Sequence, residues 1–398
     1  MNTLKGEKIS KRHVQKTAIQ FMFIFFIIYL LFNTIATLFY FIQGYEAYGS
    51  NIKNDSLYYH TQASLIAETG NFSMVALPYE YIVGVIYYLV GADLGPYAFK
   101  FVMSCVASIN IYLIISIIGN ISIYHNVDRA SFNKWSKIIC LLILIYPTYN
   151  FYVLNMYRDM MLVSGSLLFV YTFISIIIYK SKSKLHYFLI LTAILFVTIL
   201  RPYFGFFMIM TILVYFFMNR KNLTLRNISI LIGFILIIGF LMKFTKYGLF
   251  GVNYLSGLAN LQALESYRKF SSTGNLILDI NIAFSNPILF VPTYLQAFIV
   301  NHIYPLPSYF GNISSILFLP ENMIITFILI GILKKVIHKV KKYGELRFLL
   351  IYYLLNVGFI VSFSDNIGTN IRLRMSFVLC LFIMFFISKL PRAEGRNK

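Results

Sequence analysis

The chain has 398 residues, of which 59% are hydrophobic and only 12% charged, and its formal net charge is +20. Soluble domains are near half apolar and a quarter charged. This composition therefore excludes a disulfide-stapled secreted scaffold, a disordered tail and an ordinary cytosolic enzyme, and leaves a multi-pass membrane protein.

The N-terminus is basic (Lys5, Lys8, Lys11, Arg12, Lys16) and runs into a long apolar stretch with no small-residue cleavage site. That is the pattern of a retained signal-anchor. Polar breaks divide the apolar sequence into about ten spans, near 18–42, 96–119, 137–154, 159–179, 185–200, 203–218, 228–243, 315–333, 348–363 and 376–390. The expected fold is an all-α, polytopic helical bundle, with residues 1–398 forming a single membrane domain. Cys105, Cys140 and Cys380 all lie in apolar runs, where a free cysteine behaves as a small buried hydrophobe. No CxxC, HExxH or histidine cluster suggests a resident metal site. No cofactor is expected, and a divalent cation is left open.

Charge decides the orientation. With a cytoplasmic N-terminus, the inside segments are 1–17, 120–137, 180–184, 219–227, 334–347 and the tail from Lys389. They hold 24 of the 34 basic residues and four acids, Glu7, Asp128, Glu345 and Glu394. The other ten basic residues and ten acids fall outside. The whole +20 thus belongs to one face, as the positive-inside rule requires, and both termini are expected in the cytoplasm. Charge spread over short loops between spans suits anionic lipid heads and not nucleic acid.

Two outward segments exceed mere connectors. The first, 43–95, has a polar part from Asn54 to Gly70 and then LPYEYIVGVIYYLVG, too short for a span and interrupted by Pro78 and Glu80. It reads as a helix at the interface. The second, 244–314, carries Lys246, Arg268, Lys269, Asp279 and NHIYPLPSYF. Long loops of this kind are commonly functional, and the Tyr and Phe content argues for order against the membrane surface.

Charges at the outward ends of spans are the informative ones, because a desolvated ion is costly unless paired or bound. Asp55 lies in KNDSLYYH; Arg158 and Asp159 open the fourth span; Arg201 sits in LRPYFG; Arg372 and Arg374 precede the last span, with Asp365 nearby. Guanidinium groups stay charged and grip phosphate oxygens in two-pronged fashion. An acid can take a proton from an incoming hydroxyl. This points to a lipid-linked phosphate or diphosphate substrate entering from the outer leaflet. Asp55 and Asp159 are the candidate bases. Asp159 adjoins Arg158 and has that guanidinium to hold, so Asp55 is favoured. Glu80 and Glu321 begin apolar helices, where the simplest role is to offset the helix dipole. His60 and His302 read as aromatic-like interface residues.

The pattern resembles the polytopic glycosyltransferases of the GT-C type. The likeness rests on one span followed by an outward loop with an acid and aromatics (Asp55, Tyr58, Tyr59, then ETGNF). It continues through YLVGADLGPYAFKF into the second span, the pair Arg158–Asp159, and the long outward loop before the last spans. Many members have two neighbouring acids in the first loop, where this chain has one Asp in NDS. Within the group it looks most like bacterial O-antigen or capsule repeat-unit polymerases of the Wzy type, in size, large outward loop and outward arginines. The resemblance implies a polyprenyl-phosphate-linked donor, an acid on the first outward loop as base, and a bacterial inner-membrane location with a periplasmic active face.

The leading expectation is therefore a polymerase joining undecaprenyl-diphosphate-linked oligosaccharides, with lipid-linked donor and acceptor, membrane lipids and a chain-length regulator protein as partners. Phosphate binding would fall to Arg158, Arg201, Arg372 and Arg374, with Arg268 as a further candidate. A second expectation is transfer of one sugar from an undecaprenyl-phosphate donor to O-antigen or lipid A. A ligase onto lipid A core would draw in His302. A lipid-sugar flippase fits less well, since neither internal repeats nor midplane charges are evident.

Overall fold

The computed structural model describes residues 7–43, 55–74, 78–181, 183–219, 280–284, 286–303, 313–340, 342–364 and 366–390. The expected span at 228–243, most of the 244–314 loop including Arg268, and Asp365 lie outside the described residues. Regular structure within them is helical: α1 (Lys11–Ile42), α2 (Asp55–Thr69), α3 (Pro78–Val90), α4 (Gly95–Tyr124), α5 (Arg129–Leu144), α6 (Pro147–Leu154) and α7 (Asp159–Tyr179) come first. They are followed by α8 (Lys184–Leu200), α9 (Pro202–Asn219), α10 (Pro287–Ile303), α11 (Ile313–Lys339), α12 (Gly344–Phe363) and α13 (Ile367–Lys389). Proline writes much of this punctuation. Residues 78, 147, 202 and 287 each open a helix, where the missing N–H has no intrahelical partner to lose.

Six of the described helices are long and apolar enough to cross a membrane: α1, α4, α7, α9, α12 and α13. The count of ten is not reached among the described residues. The stretch expected to cross at 137–154 is the pair α5–α6, bent by 64° at Tyr146–Pro147, and counts as a seventh span only if the two are taken together. Helix α8 has 17 residues, about 26 Å at 1.5 Å per residue, just short of a hydrocarbon core of about 30 Å. The apolar part of α11, Leu319–Leu333, is shorter still. Burial sorts the long helices. Only 17% of the most apolar window of α1 is buried against 89% of that of α13, and Phe23, Ile27, Leu31, Ile35 and Leu38 of α1 are exposed.

The chain divides into two compact units, Met1–Phe196 with Lys389–Lys398, and Val197–Ser388. In the first, α1 runs antiparallel to α4. Val14 meets Gly119, where an added Cβ would come within 2.1 Å of Val14 Cγ1, and Asn33 Nδ2 donates to Ser104 Oγ at 2.8 Å. Helix α7 runs parallel to α4 at a constant register: Ser164 Oγ donates to Asn110 Oδ1 at 2.6 Å and Asn120 Nδ2 to Ser175 Oγ at 3.2 Å. The α5–α6 pair supplies the crossover that parallel packing needs. As a result the C-terminus of α1 and the N-termini of α4 and α7 share one end of the unit.

At that end α2 and α3 form a hairpin, turned at Gly70, whose φ of 66° is open to glycine at little cost. Tyr79 of α3 is wedged between Tyr59 and Phe99, at ring separations of 4.6 and 6.2 Å. At the opposite end Asp128 caps α5, accepting from Ser131 N at 2.8 Å and Ser131 Oγ at 2.6 Å. These hydrogen bonds hold its carboxyl below the usual range, and a cap of this kind is worth about 0.5–2 kcal/mol. The Arg129–Glu7 pair beside it, 2.6 Å apart, is exposed and adds little.

In the second unit α9 and α12 pack antiparallel through Tyr215–Phe348 and Phe207–Phe359. Phe377 of α13 fits between Phe204 and Tyr352. Helix α11 lies parallel to α13, with Glu321 opposite Arg374 and Gly331 opposite Phe385.

Candidate functional site

Two clusters of buried polar groups stand out, one in each unit. In the first unit the hairpin end holds two buried carboxylates, Glu80 and Asp159. Each lies in the first turn of its helix, where unpaired backbone N–H groups and the macrodipole favour negative charge. Arg158, half-buried, immediately precedes Asp159. The hydroxyl of Tyr79 is pushed well above its ordinary pKa by burial, then by Tyr59 and Asp159, with Arg158 opposing. Both members of the charged pair therefore act electrostatically on Tyr79. Tyr58 is pushed up by desolvation and then by its hydrogen bond to Glu80. Beside them, His60 Nδ1 is 2.9 Å from the Tyr87 hydroxyl, which donates to Met156 Sδ at 3.4 Å.

Lys100 is the cation at this end that sequence inspection passes over. It is 3% exposed, donates to Thr37 Oγ1 at 2.9 Å and lies 5.1 Å from the Tyr40 ring centre. In the sequence it is one more lysine at the edge of an apolar run, and only the pairing of α1 with α4 shows it enclosed.

The candidate residues divide between the units. Asp159 and Arg158 sit in the first cluster. Asp55, the first residue of α2, is exposed. Of Asp55 and Glu80, both acids of the first outward loop, Glu80 is the enclosed one. Its presence within an apolar stretch was the available signal, and the simpler dipole role obscured it. Arg201, Arg372, Arg374 and His302 belong to the second unit. Arg201 is buried and donates from Nη1 to the Tyr203 hydroxyl at 2.7 Å. Arg372 is half-buried.

Arg374 is the largest fully buried side chain in the described chain and the centre of the second cluster. Its Nη2 lies 3.3 Å from Glu321 Oε1 and also donates to Asn322 Oδ1, while Nη1 donates to the Asn301 carbonyl. Glu321 is thus an ion-pair partner in the interior of α11 and not a dipole offset at a helix start. Next to Asn301, His302 Nδ1 is 2.6 Å from the Phe298 carbonyl. A carbonyl can only accept, so Nδ1 carries the proton and Nε2 accepts from the Tyr353 hydroxyl. Both Nη atoms of Arg374 have protein acceptors, which gives this arginine the task of joining α10, α11 and α13.

Chemically the two clusters differ. The second is a charge-balanced network that locks helices. The first sets two carboxylates and two cations, Arg158 and Lys100, at one helix-bundle end under an aromatic hairpin, a donor and acceptor set suited to proton transfer near an anionic group. No protein-family model, curated protein or solved structure matches the chain.

Proposed function

We propose that the chain is a membrane glycosyltransferase of GT-C-like fold acting on lipid-linked sugar phosphates, and most specifically a polymerase of undecaprenyl-diphosphate-linked repeat units. The observation that carries this is the pair of buried acids, Glu80 and Asp159, brought to one bundle end beside Arg158. In the reaction an acceptor sugar hydroxyl attacks the anomeric carbon of the donor. The carbon–oxygen bond to the lipid diphosphate breaks, the hydroxyl proton passes to a carboxylate, and the diphosphate leaves with the electron pair. Glu80 is the base in this scheme, because it is an enclosed acid of the first outward loop. Asp159 orients Arg158, and Arg158 stabilises charge on the leaving phosphate. Burial favours Glu80 over Asp55, since water competes with the acceptor hydroxyl at an exposed carboxylate.

Two experiments test the reading. Membranes containing the protein, supplied with labelled undecaprenyl-diphosphate oligosaccharide, should yield a ladder of products. A single addition, from an undecaprenyl-monophosphate sugar only, would favour the one-sugar transferase instead, and no product from either donor would sink both. The proposal also carries the ten-span topology in the bacterial inner membrane, with both termini cytoplasmic and the hairpin end periplasmic. Reporter fusions at Gly44 and Asn366 should then read outside, and those at Asn126 and Lys182 inside. Reversal at Gly44 and Asn126 together would put the hairpin end on the cytoplasmic side and remove the lipid-linked donor argument.

A further inference from the structure

We propose that Lys100 is the cation of a binding site for a phosphate group carried on a membrane lipid, at the hairpin end of the first unit. An ammonium taken out of water is costly unless a counter-charge or a full set of acceptors replaces its hydration. Lys100 has neither. Its three N–H bonds meet one neutral acceptor, Thr37 Oγ1, and the ring of Tyr40. Among the described residues no carboxylate lies within 4.0 Å of it, whereas the equally buried Arg374 has Glu321.

Position sharpens the point. Lys100 is in the second turn of α4, and helical side chains lean toward the N-terminus, so its amine points to the helix end whose dipole is positive. A cation there gains nothing from the helix. The lysine is enclosed by protein on the α1 side. The surround is built from α1 and α4. An anion of compact charge satisfies all of these features, and in a membrane bundle the available class is a lipid phosphate. A polyprenyl phosphate is the choice if the transferase reading above holds, and the site deepens that reading by naming its phosphate cation. A bulk-lipid headgroup has the same chemistry.

The test uses the full chain in nanodiscs of zwitterionic lipid. Binding of a polyprenyl phosphate and of the matching polyprenol, which has the tail without the phosphate, is measured for wild type, Lys100→Met and Lys100→Arg. Lys100→Met should weaken polyprenyl-phosphate binding about 10- to 100-fold, the range of a charge-assisted hydrogen bond, and leave polyprenol unchanged. Lys100→Arg should stay within a few-fold of wild type. The unliganded Lys100→Met protein should melt at or above the wild-type temperature, because it no longer buries an unpaired charge.

Unchanged phosphate binding in Lys100→Met overturns the proposal. So does an equal loss of phosphate and polyprenol binding with a lower melting temperature, which marks a structural lysine. Lys100→Gln is the second neutral variant, and failure of both to fold counts the same way. Excess phosphatidylglycerol that displaces the probe assigns the site to bulk headgroups, and failure to displace assigns it to the polyprenyl carrier; either outcome supports the phosphate site. Binding that depends on Lys100 in a protein that transfers no sugar would sink the transferase reading and leave this site standing.

Discussion

Replacing Arg374 by Met should lower stability by about 3–5 kcal/mol, the cost of leaving a buried partner charge uncompensated. Glu321 would then lose its ion pair to Arg374, and Asn301 and Asn322 would lose their shared donor. Glu321→Gln should be similarly damaging, because it strands the guanidinium. The double variant Arg374→Met/Glu321→Leu should recover most of the loss, since an apolar pair of similar volume often matches a buried ion pair or improves on it. Thermal unfolding in detergent, run as a double-mutant cycle, reads the coupling directly. Equal melting temperatures for Arg374→Met and wild type would show that the network does not hold α10, α11 and α13 together. Arg374→Lys is informative as well: it keeps the charge but cannot span Asn301, Asn322 and Glu321 at once, so it should behave more like Met than like Arg.

Glu80→Gln should reduce sugar transfer by about 10²–10⁴-fold, the usual contribution of a positioned general base, with little effect on donor binding. The amide keeps the shape of the side chain and its place under Tyr58, but it cannot take the proton from the acceptor hydroxyl. Asp159→Asn should act differently. It loosens the hold on Arg158, so donor affinity and turnover should both fall. Asp55→Asn should change transfer by less than about threefold, as befits an exposed side chain in the first turn of α2. The measurement is product formed per unit of inserted protein, with donor binding measured separately. Loss of transfer in Asp55→Asn alone would restore Asp55 as the base and remove Glu80 from the role.

The contrast between Asp55 and Glu80 shows where inspection of residues stops. Both are acids of the first outward loop, and the sequence favours Asp55 over Asp159, which has Arg158 to hold, while giving Glu80 a helix-dipole role. Which of them is enclosed depends on how the α2–α3 hairpin lies against α4. That is set by Tyr59, Tyr79 and Phe99 packing together, a contact between residues up to forty positions apart. The same holds for Glu321 and Arg374, which are 53 residues apart and become an ion pair only because α11 and α13 run parallel in register. Pro147 is the reverse case. Its effect is local, and a proline inside an expected span was already a reason to look for a break, which the 64° bend supplies.

Composition and apolar periodicity alone determined that this is an all-helical, multi-pass membrane protein. Long apolar runs in lipid must satisfy their own backbone hydrogen bonds, and the helix does this within a single segment. Prolines at 78, 147, 202 and 287 open helices through a property of one residue, yet the apolar pattern alone ran one span through Pro147. The burial of Glu80, Lys100 and Arg374, and the bend that splits 137–154, were decided only by tertiary structure. Their physical basis is that desolvation and charge pairing depend on which helices become neighbours, and neighbourhood is a property of the packed bundle that no single segment encodes.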